Sequence, residues 1–219
     1  MSKYVISDVH GCYDKFLNML DLINFKEDDE LYILGDIFDR GKEPLKILDY
    51  IVGHKNITLL KGNHEKLFEE AFETGDYRLW YYNGGQSTHS KLIEGGLDRE
   101  QQVYHYIRRL PLIKVVDKFI LVHAGLYFPN NYNDLELDEF IKQQEEEICL
   151  WDRSNINFEW QYKDYIVISG HTVVKTINNN CESILHKQGH IYIDCGCCFE
   201  HINGKLACLR LDDMKEFYI

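Results

Sequence analysis

The sequence is short of positive charge, of proline and of long apolar runs. Lysine and arginine number 24 against 36 aspartates and glutamates, a net charge of −12. Phosphate backbones and anionic lipid surfaces are bound by basic faces, so neither nucleic acid nor a membrane is the expected partner. Any anionic substrate must be drawn by a local positive site. No apolar stretch approaches the ~20 residues that span a bilayer. The opening residues MSKYVISDVHG run straight into strand-like sequence without a secretory pattern, so the expected location is cytoplasmic. With three prolines in 219 residues, and no linker, repeat or low-complexity tract, the chain reads as one domain over residues 1–219. That length suffices to bury about 70% of the unfolded surface. A disulfide framework is missing too, since seven cysteines is an odd number in an intracellular-looking chain. Cys195 and Cys198 form a CxxC, but zinc needs two more well-placed ligands, and ordinary buried thiols are expected.

What is present is one arrangement repeated. In LYILGDIFDRG, residues 31–41, a short apolar run bounded by Glu30 and Gly35 reads as a strand buried on both faces, and it ends in Asp36, Asp39 and Arg40. Crowded carboxylates stay ionised only where a cation or a set of donors offsets their repulsion, and a metal would do so. The same pattern takes YVIS into Asp8, His10 and Gly11, and ITLL into Gly62, Asn63, His64 and Glu65. Phe16, Leu17, Leu20 and Ile23 give the first intervening segment a helical face, and Leu45, Leu48 and Ile51 do so for the second. Asp8 to Asp36 is 28 residues and Asp36 to Asn63 is 27, the length of a βαβ unit. Three parallel strands with their C-terminal turns on one edge follow, and that edge is where open α/β sheets bind ligands.

Two later apolar runs end in histidine, FILV before His123 and YIVIS before Gly170-His171; HIYID and KLACLRL read as further strands that close a second sheet. The edge therefore collects Asp8, His10, Asp36, Asn63, His123 and His171. Such a mixed carboxylate, amide and imidazole set suits a pair of first-row ions, Mn²⁺ before Fe or Zn²⁺, better than Ca²⁺. A lone aspartate after a strand is more often a helix cap, and a lone histidine more often a core residue. Five apolar runs ending in ligand-type residues beside glycine are not readily produced by chance.

SDVHG, GDIFDRG, GNHE, HAGL and SGHT, in this order, resemble the signature of the calcineurin-like metallophosphoesterases, in particular their phosphoprotein phosphatase branch. WYYNGG, LPLI, LWDRS and IYIDCG extend the likeness over nearly the whole chain, towards the bacterial and phage protein phosphatases. The resemblance implies an α/β fold of two mixed β-sheets packed as a sandwich flanked by helices, in four layers αββα. It implies two metal ions, the first on Asp8 and His10, the second on Asn63, His123 and His171, with Asp36 bridging. Arg40 and Arg153 would clamp phosphate, with Asn63 and His64 also at the substrate. His64 would be the general acid and Asp39 its orienting carboxylate, expected to keep it protonated above the usual histidine value of about 6.5. Glu65 would anchor the site from behind. Ser7 stands where the family more often has glycine, and no loss of activity is expected from it. Tyrosine-rich residues 72–112 are expected to form a cap beside the pocket, or else to serve packing.

The function this implies is hydrolysis of phosphoserine and phosphothreonine in proteins by direct attack of water activated by the metal pair. The substrate is then a phosphorylated protein or small phosphoester. The alternative is a dinucleoside polyphosphate hydrolase of the diadenosine tetraphosphate type; relatives of that type tend to lack the second aspartate of GDIFDRG and to read GNHD. A catalytically dead binding scaffold would be expected to have lost ligands, and none of the six is missing.

Overall fold

The computed structural model describes residues 1–219. Strands β1 (Lys3–Ile6), β2 (Glu30–Ile33) and β3 (Ile57–Leu59) are parallel, with helices α1 (Tyr13–Leu22) and α2 (Pro44–Val52) as their crossovers. α3 (Asn63–Thr74) follows β3, and α4 (Arg78–Tyr82), α5 (Gln86–Gly95) and α6 (Leu97–Ile107) occupy the tyrosine-rich segment. β4 (Ile113–Val116), β5 (Phe119–Val122), β6 (Ile166–Ser169), β7 (Leu185–Lys187) and β8 (His190–Tyr192) form a second sheet in the order β4-β5-β6-β8-β7. Short helices α7 (Leu137–Lys142) and α8 (Glu146–Trp151) lie between β5 and β6, and α9 (Val174–Ile177) follows β6. β9 (Ala207–Arg210) and β10 (Glu216–Tyr218) complete the chain. No helix is long and apolar enough to cross a membrane.

Side-chain alternation along the strands builds the layers. Tyr4 and Ile6 of β1, with Leu31 and Ile33 of β2, join a core shared with the helices, whereas Val5, Tyr32 and Leu34 face the second sheet. On that sheet Phe119, Leu121 and Ile168 point inward, while Ile120, Val122 and Val167 pack under Phe140 and Tyr162. Both sheets are thus covered on two faces, which is why their strands read as continuous apolar runs.

KLACLRL was expected in the second sheet and lies in the first. It forms β9, antiparallel to β1 with Val5 opposite Leu209, giving the order β10-β9-β1-β2-β3. Ala207 and Leu209 fill the space between the sheets and Cys208 the helical side. Residues 72–112 pack into the helical core through Trp80, Leu92, Val103 and Ile107, with the Phe72 and Tyr104 rings stacked at 4.4 Å.

Candidate metal centre

The candidate site residues follow strands directly: Asp8 and His10 after β1, Asp36 with Asp39 and Arg40 after β2, Asn63 and His64 at the start of α3 after β3, His123 after β5, and His171 after β6. The β1 and β2 turns stay paired beyond their strands, His10 N–H donating to Asp36 O at 2.9 Å and Gly11 N–H to Ile37 O at 2.9 Å. Asp8, His10, Asp36, Asp39, Arg40 and His171 all have positive φ, between 46° and 68°. Glu65 fixes the β2 turn by accepting the N–H groups of Asp36 (2.8 Å), Ile37 (3.0 Å) and Gly62 (2.9 Å). Gly62 is required by space, since a Cβ there would lie 2.2 Å from Asp36 Oδ1.

Asp36 stands between two groups of donors, each within 4.8 Å of one another: His10, Asp36 and His64, and Asp36, His123 and His171. His10 Nδ1 lies 2.8 Å from Phe38 O and His123 Nδ1 2.7 Å from Leu34 O. Each Nδ1 therefore carries the proton and each Nε2 presents a lone pair, the second-sphere arrangement common to metal-binding histidines. His123 Nε2 points at Asn63 Oδ1 (2.8 Å) and Asp36 Oδ1 (3.6 Å), and His171 Nδ1 at the same Asn63 oxygen (3.0 Å). His171 Nε2 is buried with no partner. Converging lone pairs with no proton between His123 Nε2, Asn63 Oδ1 and Asp36 Oδ1 repel unless a cation lies among them, so the donor set fits a divalent metal.

Asp8 is buried in the same turn cluster, yet its carboxylate is not among those two groups. Its Oδ2 accepts from His171 N–H (3.0 Å) and lies against the Ser7 hydroxyl. Ser7 thus adds a donor to Asp8. Asp194, after β8, was not recognised in the sequence although HIYID carries the same signature of an apolar run ending in an acid. It is buried close enough to Asp8 for that charge, after burial, to raise its carboxyl well above the usual range. Burial, then the charges of Asp8 and Glu65, does the same to Asp36.

Arg40 lies across the open side. Its Nη1 donates to His10 Nε2 at 2.6 Å and its Nη2 to His64 Nε2 at 2.9 Å, with the Phe199 ring 5.2 Å from the guanidinium carbon. Arg153 reaches Thr172 Oγ1 at 3.4 Å and, with Arg40, His171, Asp194, Phe199 and His201, borders a cavity of about 310 Å³. Phe199 and His201 lie outside the sequence motifs. His64 Nδ1 donates to Asp39 Oδ2 at 2.6 Å, and Asp39 also accepts from Trp80 Nε1 (2.8 Å) and Thr88 Oγ1 (2.6 Å). The expected rise in His64 proton affinity is not found. Burial, then the positive charge of Arg40, holds it well below the ordinary histidine value, while burial lifts Asp39 to about 7. The same burial brings His171 down to about 2.

Cys195 is buried between the sheets, and Cys198 lies beside Arg40.

The family model described as calcineurin-like phosphoesterase matches residues 1–190. The chain belongs to that family. Serine/threonine-protein phosphatase 2 of Salmonella typhimurium is 33% identical over 157 residues, covering 70% of this chain and 68% of that protein. The symmetrical bis(5'-nucleosyl)-tetraphosphatase of Hamiltonella defensa is 36% identical over 131 residues, 58% of this chain but only 45% of its own length. The chain thus matches less than half of that relative. Among solved structures, a protein serine/threonine phosphatase from Saccharomyces cerevisiae superposes with a TM-score of 0.68 at 13% identity, covering 100% of this chain and 79% of its own. A cold-active protein tyrosine phosphatase does so at 0.63 and 19% identity, covering 99% and 78%. These likenesses fix the four-layer fold of the family, which is a family of metal-dependent phosphoester hydrolases.

Proposed function

We propose that the protein is a dinuclear-metal phosphomonoesterase acting on phosphoserine and phosphothreonine in proteins. Asp8, His10 and Asp36 would hold one ion, and Asp36, Asn63, His123 and His171 the other, with Mn²⁺ our assignment among the first-row ions that such a mixed oxygen and nitrogen set accepts, Fe and Zn²⁺ included. When bound, such a pair lowers the pKa of a water and stabilises the oxygens of an in-line displacement.

The observation that carries the reading is the chain from Thr88 and Trp80 through Asp39 and His64 to Arg40. Asp39 holds the His64 ring so that Nε2 faces the open site. An arriving phosphate dianion draws Arg40 off that nitrogen and adds negative charge beside it, and both changes raise its proton affinity. Once Nε2 has taken up a proton from solvent, His64 can give it to the departing serine or threonine alkoxide, a transfer commonly worth ~10²–10⁴ in rate. Arg40 and Arg153 take the phosphate oxygens, where a planar guanidinium offers two parallel donors. Residues 72–112 would act on specificity from behind, through Trp80 and Thr88 upon Asp39.

Hydrolysis of dinucleoside polyphosphates is the second reading, favoured by the tetraphosphatase relatives; the second aspartate of GDIFDRG and the glutamate of GNHE favour the first. Side-by-side turnover of a phosphopeptide panel and a dinucleoside polyphosphate panel with Mn²⁺ decides between them. The phosphopeptides should show the higher kcat/KM, and the reverse order would reject the protein-phosphatase assignment.

A further inference from the structure

A second cavity, of about 590 Å³, opens on the other side of Arg40. Arg40 is the one residue common to both cavities, and the segment 198–201 alternates between them: Phe199 and His201 line the first, Cys198 and Glu200 the second. The second cavity is unusual for a chain of net charge −12, because Arg40, Lys15, Lys42 and Lys46 all line it. Lys15 is held in place by the carbonyl oxygens of Cys197 (2.7 Å) and Gly204 (3.1 Å), contacts that fix the ammonium without neutralising it. Lys42 is exposed and makes no ion pair. Only Lys46 has a carboxylate partner, Glu43 at 3.3 Å, in an exposed contact of small worth. The remaining acids, Asp14 and Glu200, are exposed and make no ion pair, so the lining carries four cations against three carboxylates, a net positive charge on a chain of net charge −12. The walls include the first turns of α1 and α2, neither capped by a side chain, which adds to the positive potential of the lysines.

We infer that this cavity is a subsite for a second anionic group of the substrate, a carboxylate or phosphate flanking the phosphorylated residue of a peptide. The inference rests on the phosphatase reading and narrows its substrate class to acidic-flanked phosphopeptides. With the reacting phosphate against Arg40 and Arg153, a peptide leaving past Arg40 enters the lysine-lined space directly. Its second anion there meets the ammonium groups of Lys15, Lys42 and Lys46.

The test uses the full-length, Mn²⁺-loaded protein and the variants K42A/K46A and K42E/K46E, which change exposed side chains outside the proposed catalytic set. Substrates are nitrophenyl phosphate, a phosphoserine peptide with neutral flanks, and the same peptide with an adjacent glutamate or second phosphoserine. The wild type should prefer the acidic peptide by about tenfold in kcat/KM at low salt, the preference shrinking as salt rises. K42A/K46A should abolish the preference and K42E/K46E invert it, with nitrophenyl phosphate turnover unchanged. A preference that survives charge reversal, or an equal loss on nitrophenyl phosphate, overturns the subsite. A lysine-dependent gain for diadenosine tetraphosphate but not for the acidic peptide overturns the peptide assignment. Nitrophenyl phosphate turnover by the wild type checks the phosphatase reading separately, and titration calorimetry of the two peptides against wild type and K42E/K46E reads the subsite even where turnover is absent.

Discussion

At the scale of single residues, the site is built from backbone that most side chains avoid. Six of its residues lie in the left-handed region, each at a cost of about 1–2 kcal/mol, and five of them are aspartate or histidine, types that tolerate the region better than most. The strain turns each side chain towards a common point and is held by contacts such as those of Glu65. His64 shows what such a turn can do. An alkyl alkoxide leaves poorly without a proton and a nitrophenolate leaves well, so His64→Asn should lower phosphopeptide hydrolysis about 10²-fold or more while nitrophenyl phosphate hydrolysis falls far less. Asp39→Asn should do the same more mildly. Equal losses on both substrates, with metal content retained, would show that His64 positions phosphate instead. The types and places of the candidate ligands were legible because each ends an apolar run. The proton affinity of His64 was not, because it depends on burial and on Arg40 lying against Nε2, neither of which has a local signature. Asp194 carries a weaker signal, a single acid at the end of an apolar run without a histidine or second carboxylate beside it.

At the scale of elements, the three parallel strands and their crossovers follow from spacing alone. The place of KLACLRL does not, since an alternating strand without ligands fits either sheet until its partners are known. Its pairing with β1 is settled by the fit of Ala207 and Leu209 between the sheets. β8 carries a different consequence. His190 is buried in the second sheet, stacked on Tyr192 at 4.0 Å and hydrogen-bonded to Ser169 at 2.8 Å, and burial brings it down to about 3. The unfolded chain binds this proton below about 6.5 and the folded one only near 3. Folding stability therefore contains a component fully present above about pH 6.5 and lost as the pH falls towards 3, up to a few kcal/mol. Urea unfolding of wild type and His190→Gln at pH 7.5 and pH 4.5 should show the larger acid loss in the wild type; identical slopes would remove His190 as the cause.

At the scale of the whole molecule, the candidate ligands come from both sheets: Asp8, His10, Asp36 and Asn63 from turns of the first, His123 and His171 from turns of the second. An ion held by both stabilises the folded chain only, by an amount set by its concentration over its dissociation constant. Dialysis against a chelator should abolish nitrophenyl phosphate turnover and lower the melting temperature by about 10 °C, and Mn²⁺ should restore both. Full activity in metal-free protein would end the metal assignment. The separation of these ligands along the chain also sets an order of events. A polypeptide emerging from the ribosome has four of its six ligands by residue 63 but cannot close the cup until residue 171 has been made and the second sheet has docked on the first. Until then it offers two acids, one imidazole and one amide, an incomplete set for two ions. Tight retention of metal would therefore mark a chain whose two sheets have come together, and hydrolysis would be withheld until they do.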